Sequence, residues 1–251
     1  MIGKPVRRVF LVSRLQVVLR ERALREVYKR LATQDPQTGL DNRRQTFMNI
    51  TDAIISTRRD QSISALLLGD INNLASINQK HGFEFGDEVI LTFGRILKRF
   101  SSPDCKIGRI AGDTLAAVLK NTSLERAREF CARVERTFTA IAFDAATSPK
   151  HFNTSFGIAC YDGKDPAFDA DEFMVQADTA LAKSKRIGRS SISAYWELQA
   201  DEIAELAPIH ARKSRRQRTN RAFVSVETDY APANTAPQPE DVHIVQDSSK
   251  S

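Results

Sequence analysis

Two apolar runs of strand length, residues 106–110 and 114–119, are separated by only three residues. Runs joined by so short a turn are typical of a β-hairpin, in which the two strands pair antiparallel. The turn is Ala111-Gly112-Asp113, and its first two residues carry no bulky side chain. Such a turn can approach a phosphate closely and offer its backbone N–H groups. The hairpin therefore predicts both a sheet and a candidate binding loop at its tip.

Helical and strand patterns alternate through the rest of the chain without a strict βαβ repeat. Asp41 or Asn42 is placed to cap the first helix of the core, which runs to about Arg58. Periodicity then predicts strands over residues 63–68, 152–161 and 191–195, and helices over residues 84–100, 123–138 and 170–186. We expect these elements to form one core, bounded by residues 34–198.

The two ends of the chain differ from this core. Residues 1–33 place Phe10, Val17, Leu24 and Leu31 seven apart, which predicts a helix with an apolar seam and a dimerisation stalk. Because no acidic residue precedes Glu21, the alternatives are a basic helix on an anionic membrane surface or a transit peptide. Residues 199–251 are polar and rich in proline towards the end, which predicts a disordered tail.

Composition excludes several classes of protein. Of the 251 residues, 41% are hydrophobic and 27% are charged, as in globular domains, and no apolar run is long enough to span a membrane. Three cysteines without metal-ligand spacing indicate free thiols and a cytoplasmic protein, with peripheral membrane contact as the alternative. The net charge of +6 is concentrated at the ends, and the basic run 212–218 has no interleaved aromatic residues, so nucleic-acid binding is not expected.

Two aspartates are candidates for a metal site. Asp70 directly follows an apolar strand, and Asp113 lies at the turn of the hairpin. A sheet that pairs these strands would bring both carboxylates to one edge, where hard oxygen ligands suit Mg²⁺ carrying a triphosphate. The alternative is that both aspartates only end strands and shape turns.

Read together, five segments resemble the GGDEF family of diguanylate cyclases. They are residues 35–44, 70–87, 109–115, 155–159 and 177–189, in the family's order and at its spacing. The resemblance covers the chain from about Thr33 to Tyr195. It implies an α+β, nucleotidyl-cyclase-like fold, related to ferredoxin-like and palm domains, with a central mixed, mainly antiparallel sheet flanked by helices.

The resemblance also implies a role for particular residues. Asp70, Asp113 and the backbone carbonyl of Ile71 would hold Mg²⁺ or Mn²⁺, and the two aspartates would be catalytic. The residues expected to bind GTP are Asn78, Asp87, Ala111, Gly112, Lys185 and Arg189. An amide and a carboxylate suit the edge of guanine, and cations suit transferring phosphates.

The signature segment departs from the family's Gly-Gly-Asp/Glu-Glu-Phe. Here it is Ala111-Gly112-Asp113-Thr114-Leu115. Thr114 removes a carboxylate that would lie beside the metal and the attacking hydroxyl, and a threonine is not a base near neutral pH. Ala111 adds one methyl group, which matters only if its backbone needs a positive φ or touches a phosphate.

This sequence also differs from the family pattern at positions outside the signature segment. Ala75 replaces a usual lysine, Gln79 an aspartate and Phe83 a histidine. The family's product-inhibition motif, Arg-x-x-Asp, falls on residues 102–105, where neither charged residue is present, so no product-inhibition site is expected.

These observations support two functions. The first is a diguanylate cyclase-like signalling protein of reduced rate, which condenses two GTP into cyclic di-GMP at a Mg-dependent site shared by two domains. The second is a catalytically degenerate domain that binds GTP or a partner protein. The expected partners are GTP and a second copy of the chain, joined through the N-terminal helix.

Overall fold

The computed structural model describes residues 8–144, 149–188 and 190–206, with side chains from residue 14 onward. The helices are α1 (Arg8–Thr33), α2 (Arg43–Asp60), α3 (Leu74–His81), α4 (Phe83–Arg99), α5 (Leu124–Thr139) and α6 (Ala170–Ile187). The strands are β1 (Ser64–Ile71), β2 (Cys105–Ala111), β3 (Thr114–Leu119), β4 (Thr154–Tyr161) and β5 (Ile192–Ala194).

The five strands form one sheet in the order β2-β3-β1-β4-β5. Strand β1 lies at its centre and pairs antiparallel with β3 on one side and with β4 on the other. The hairpin of β2 and β3 forms one edge, and β5 pairs parallel with β4 at the other. The predicted mixed, mainly antiparallel sheet and the predicted hairpin are both confirmed.

Helices cover both faces of the sheet. Helices α3, α4 and α5 pack on the face that receives Leu67 and Ile71 of β1, whereas α2 and α6 pack on the face that receives Leu66 and Leu68. Every residue of β1 is therefore buried, which explains its continuous apolar pattern. Full burial of a leucine or isoleucine side chain contributes about 1.5–3 kcal/mol.

Local sequence explains where the helices of the core begin. Asn42 caps α2, because its side chain accepts a hydrogen bond of 2.9 Å from the backbone N–H of Gln45. Ser123 and Asp169 cap α5 and α6 in the same way. Side chains with a free oxygen at these positions satisfy backbone donors that a helix leaves unpaired. Of the two candidates that the sequence offered for α2, Asn42 is the cap.

Helix α3 and the exact end of β1 were not predicted. Only Ile77 is buried in α3, so eight residues carry too little apolar periodicity to indicate a helix. The prediction that Asp70 follows the strand is wrong, because Asp70 lies within β1 and pairs with Ser155 of β4. Pairing with β4 continues one residue further, to Ile71, and so extends the strand past its apolar run.

Order also extends beyond the predicted core boundary at residue 198. Residues 200–206 form helical turns, Glu202 pairs with Lys183 of α6, and Leu206 is only 1% exposed. The tail predicted to start at residue 199 therefore begins with an ordered segment. The rest of that prediction, from residue 207, lies outside the described residues.

Helix α1 exposes its apolar side chains. Val17 is 65%, Leu24 50% and Leu31 70% exposed, while the side chain of Phe10 is not among those described. Side chains of this kind are seldom left in water along a whole helix unless a partner covers them. Among the described helices, none is both long enough and apolar enough to cross a membrane.

Candidate active site

Asp70 is the buried centre of the candidate site. It is 3% exposed and pairs with Ser155 of β4, one residue beyond the last β1 residue that pairs with β3, Gly69. Its Oδ2 lies 2.7 Å from Lys185 Nζ, at the end of α6, and accepts a hydrogen bond of 3.0 Å from the Thr114 hydroxyl of β3. One carboxylate oxygen thus receives two donors from two different elements.

Asp113 lies beside Asp70, at the tip of the hairpin. Burial raises the pKa of Asp113 above its ordinary value, and the neighbouring Asp70 charge raises this pKa further. Lys185 acts in the opposite direction but does not outweigh these two effects. The sheet therefore brings the two sequence-predicted carboxylates together, as expected, and they repel each other when both are ionised.

The donor set fits a divalent cation. The carboxylate of Asp70 in β1, that of Asp113 at the tip of the neighbouring hairpin and the backbone carbonyl of Ile71 are the hard oxygen ligands that Mg²⁺ prefers. A cation would offset the repulsion between Asp70 and Asp113. Within the described part of the chain, no three His, Cys, Asp or Glu side chains come together as a complete metal site. Water or substrate phosphates would have to supply the remaining ligands.

The signature turn tolerates its alanine. Gly112 has φ +54°, a conformation that side chains rarely adopt, whereas Ala111 is not among the residues with positive φ. An added Cβ at Gly112 would meet no atom within 4 Å, so the glycine is required by backbone conformation and not by space. Both residues are exposed at the tip of the hairpin, where a ligand could approach them.

Asn78 lies where α3 packs against α4. Its Oδ1 is buried and has no hydrogen-bond partner, although buried acceptors are rarely left unpaired. A Cβ built on Gly86 would lie 1.7 Å from this oxygen, so any larger residue at position 86 would displace the Asn78 amide. Asp87 follows Gly86 in α4 and is exposed. The junction thus holds one buried, unpaired acceptor beside one exposed carboxylate.

Arg109 links the start of the core to the signature turn. This link was not predicted from the sequence. Arg109 Nη1 donates to Asp35 at 3.0 Å and to Gln37 at 2.5 Å, and its Nε donates to the carbonyl of Gly112 at 2.9 Å. Burial alone would raise the pKa of Asp35, but hydrogen bonds from Thr38 and Arg109 lower it overall. In the sequence, this contact was indicated only by the fact that Asp35 and Arg109 each lie in a segment that resembles the GGDEF family.

Two further predictions concern the edges of the site. Arg189 lies outside the described residues, so its predicted contact with triphosphate stays a prediction. Ser102 and Cys105, where the product-inhibition motif would fall, line a groove of about 420 Å³ with Arg126 and Arg133. This groove lies at the end of the hairpin strands opposite Asp113.

Comparison with known proteins agrees with this geometry. The family model described as "Diguanylate cyclase, GGDEF domain" matches residues 32–191. Among curated relatives, diguanylate cyclase DgcP of Pseudomonas aeruginosa is 29% identical over 66% of this chain and 24% of its own length. A diguanylate cyclase of Vibrio cholerae is 28% identical over 68% of this chain and 52% of its own length. The chain thus spans about a quarter to a half of the relatives it matches here.

Solved structures show the same fold. The coiled coil and GGDEF domain of DgcB from Caulobacter crescentus, in complex with c-di-GMP, superimposes with a TM-score of 0.67 at 23% identity, covering 74% of this chain and 97% of that one. Diguanylate cyclase SiaD of Pseudomonas aeruginosa, in complex with its activator SiaC, gives 0.62 at 24% identity, covering 75% and 72%. With the family model matching well over half of the sequence, this chain is a member of the GGDEF diguanylate cyclase family.

Proposed function

We propose that this chain is a slow diguanylate cyclase, which condenses two GTP molecules into cyclic di-GMP in the cytoplasm. The observation that carries the proposal is the convergence of Asp70, Asp113 and Lys185 at the C-terminal end of the central strand β1. Two carboxylates and one ammonium group are the charges expected around a metal-bound triphosphate. The unpaired Asn78 Oδ1 supports the proposal, because guanine offers N–H donors to such an acceptor.

In the proposed reaction, the 3′-hydroxyl of one GTP attacks the α-phosphorus of the other. A 3′-O–P bond forms, the bond from the α-phosphorus to the bridging oxygen breaks, pyrophosphate leaves, and the hydroxyl proton passes to solvent. A second such step closes the ring. A divalent cation held by Asp70, Asp113 and the Ile71 carbonyl would neutralise charge on the phosphates. Lys185 would leave Asp70 and pair with the phosphates.

Each domain would hold one GTP, so two domains must face each other. The apolar side chains of α1 support a pairing of two copies through this helix, since Val17, Leu24 and Leu31 are each at least half exposed. Burying them against a second copy would bring two catalytic edges into the same particle. The DgcB structure that resembles this chain also contains a coiled coil.

A second function is favoured by one specific observation. The Thr114 hydroxyl donates to the same Asp70 oxygen that a metal would need, and it replaces the family's glutamate. A site with one carboxylate fewer binds a divalent cation less tightly. The alternative is therefore a domain that binds GTP, or a protein partner as SiaD binds SiaC, and regulates cyclic di-GMP signalling without forming it.

One assay separates the two functions. The full chain is incubated with GTP and either Mg²⁺ or Mn²⁺, and cyclic di-GMP is quantified by chromatography beside an Asp113→Ala variant. Product that disappears in the variant establishes the cyclase. GTP binding without product, measured by titration on the same preparation, establishes the regulator.

A further inference from the structure

The segment after β5, residues 199–206, forms two ion pairs with the last turns of α6. Glu202 pairs with Lys183, and Glu205 Oε1 lies 2.9 Å from Arg186 Nη1. The match to the family model ends before this segment begins. These contacts therefore lie outside the family pattern and belong to this chain.

The segment is also ordered by contacts of its own. Glu202 Oε1 meets Lys183, while its Oε2 accepts a hydrogen bond of 3.0 Å from the backbone N–H of Gln199. The second bond caps the helical turn in which the Ile203 N–H donates to the Gln199 carbonyl at 3.0 Å. Leu206, three residues further on, is almost completely buried and removes apolar surface from water. The segment is thus fastened both by charge and by burial.

These ion pairs and the active-site contact use different faces of α6. Lys183 and Arg186 are three residues apart, and residues at this spacing are neighbours on one face of a helix. Lys185 is two residues from the first and one from the second, so it points in another direction, where its Nζ lies 2.7 Å from Asp70 Oδ2. The segment after β5 therefore holds one face of the helix while another face presents Lys185 to the candidate site.

The last turn of α6 depends on such contacts for its position. In the middle of the helix, a Cβ built on Gly157 of β4 would lie 2.2 Å from the backbone nitrogen of Leu181, so helix and strand pack backbone to backbone. Further along, the Ser184 hydroxyl donates to a carbonyl oxygen of β4 at 2.6 Å. Lys185 follows both contacts and lies in the final turn, where helices fray most readily. What holds that turn therefore sets the position of its ammonium group.

We propose that Glu202, Glu205 and Leu206 are positioning residues, which hold the last turn of α6 so that Lys185 reaches Asp70 and, once a nucleotide is bound, its phosphates. The part that concerns the nucleotide rests on the proposed function, whereas the hold on Lys185 does not. A purely electrostatic role of the two glutamates predicts the opposite effect on GTP. Carboxylates repel a triphosphate, so their removal alone would strengthen binding, whereas a displaced Lys185 weakens it.

The first test is competitive acetylation of the metal-free and nucleotide-free full chain with acetic anhydride, quantified at each lysine by peptide mass spectrometry. An amine reacts only when it is deprotonated and unpaired, so the contact with buried Asp70 protects Lys185. Leu206→Ala and the double variant Glu202→Gln/Glu205→Gln should each raise the acetylation rate of Lys185 about threefold.

Two controls separate this effect from a general loosening of the domain. Lys120 is also protected by an ion pair, with Asp52 of α2, and its rate should not change in any variant. Glu197→Gln removes a comparable surface pair, with Arg128 of α5, and should leave the rate at Lys185 unchanged. The inference is overturned if neither variant of the segment accelerates acetylation of Lys185, or if Lys120 is accelerated equally.

The second test is a double-mutant cycle on GTP affinity, measured by titration in the presence of Mg²⁺. Leu206→Ala should weaken binding about fivefold in the unaltered chain and have no further effect beside Lys185→Ala, because the segment acts through Lys185. Equal weakening in both backgrounds would indicate a purely structural role and overturn the inference. Tighter GTP binding by Glu202→Gln/Glu205→Gln would overturn it in favour of the electrostatic role.

The two tests distinguish failure of this inference from failure of the proposed function. Faster acetylation of Lys185 in both variants of the segment, with no GTP binding by the unaltered chain, supports the hold on Lys185 and refutes the proposed nucleotide site. GTP binding that is insensitive to both variants leaves the proposed function standing and overturns the inference.

Discussion

Thr114 and Asp70 form a hydrogen bond across β3 and β1, in which the Thr114 hydroxyl donates to Asp70 Oδ2 at 3.0 Å. Lys185 lies 2.7 Å from the same oxygen. Both donors would compete with a metal ion bound at this oxygen. Under the proposed function, a substitution at position 114 should therefore change the catalytic rate.

Replacing Thr114 with glutamate should raise cyclic di-GMP formation by roughly tenfold or more, because it restores a carboxylate beside the metal and removes the hydroxyl from Asp70. The measurement is the initial rate with saturating GTP and Mg²⁺. Thr114→Ser is the matched control, since it keeps the hydroxyl. An equal rate in both variants would show that the missing glutamate does not limit the rate of cyclic di-GMP formation.

Metal-free stability should depend on Asp113. The folded-state pKa of Asp113 is raised by burial and by Asp70, so its ionisation costs stability as the pH rises above the unfolded value of 3.8. At neutral pH, Asp113→Asn should therefore raise the melting temperature of the metal-free chain. Millimolar Mg²⁺ should stabilise the unaltered chain more than this variant.

Differential scanning calorimetry, with and without EDTA, measures both effects. Asp162→Asn is a suitable control because Asp162 is exposed and follows Tyr161, at the end of β1 opposite Asp70. Equal Mg²⁺ responses in the unaltered chain and in Asp113→Asn would remove Asp113 from the metal site.

Gly86→Ala should weaken GTP binding at least about tenfold, because the new methyl group would overlap the Asn78 side chain, whose Oδ1 lies 1.7 Å from that position. Gly94→Ala tests whether any alanine in α4 has this effect. Its Cβ would meet only the Leu40 side chain as a close neighbour, at 3.3 Å, which can shift slightly. Titration with GTP should show normal affinity for Gly94→Ala; weak binding by both variants would indicate a general distortion of α4.

Asp35→Asn should lower the free energy of unfolding by about 1–2 kcal/mol at neutral pH, because it removes charge-assisted bonds from Arg109 and Thr38. The folded-state pKa of Asp35 lies below 3.8, so its contribution is present above that pH and is lost as the pH falls through the folded value. Urea unfolding from pH 7 to pH 2.5 should show the two chains converging in acid. A difference that persists in acid would contradict an electrostatic cause.

Leu24→Gln should shift the proposed dimer towards monomer, because Leu24 is one of the exposed apolar residues of α1. Light scattering after size-exclusion chromatography reports the mass directly. Arg22→Gln removes a charge from the same helix and should leave the mass unchanged. Loss of the dimer in both variants would point to a general effect on α1.

The sheet was predictable because apolar runs indicate its strands, and turn residues between two such runs indicate that the strands pair. The tight spacing around Gly112 indicated the hairpin, and the continuous apolar run of β1 indicated a central strand with both faces covered. Helix α3 was not predictable, since Ile77 is its only fully buried residue and Leu74 is only partly buried against the core. The cap of α2 was predictable as a choice between Asp41 and Asn42, which only geometry decided.

The candidate site was predictable as a set of residues but not as a set of contacts. Asp70 and Asp113 come together because β1 is the neighbour of β3, which follows Asp113 directly, and this strand order follows from the family resemblance. The approach of Lys185 to Asp70 depends on where the last turn of α6 lies over the sheet, which no local pattern encodes. The hydroxyl of Thr114 and the bridge through Arg109 are likewise consequences of tertiary packing.

The segment after β5 has a consequence for the design of shortened versions of this protein. The match to the family ends at residue 191, yet Leu206 is buried and Glu202 and Glu205 pair with Lys183 and Arg186 of α6. Truncation at the family boundary would uncover apolar surface on the domain and release two cations next to Lys185. Such a fragment would be prone to aggregation, and its last turn of α6 would carry more unpaired charge than the native chain. An expressed domain should therefore retain at least residue 206.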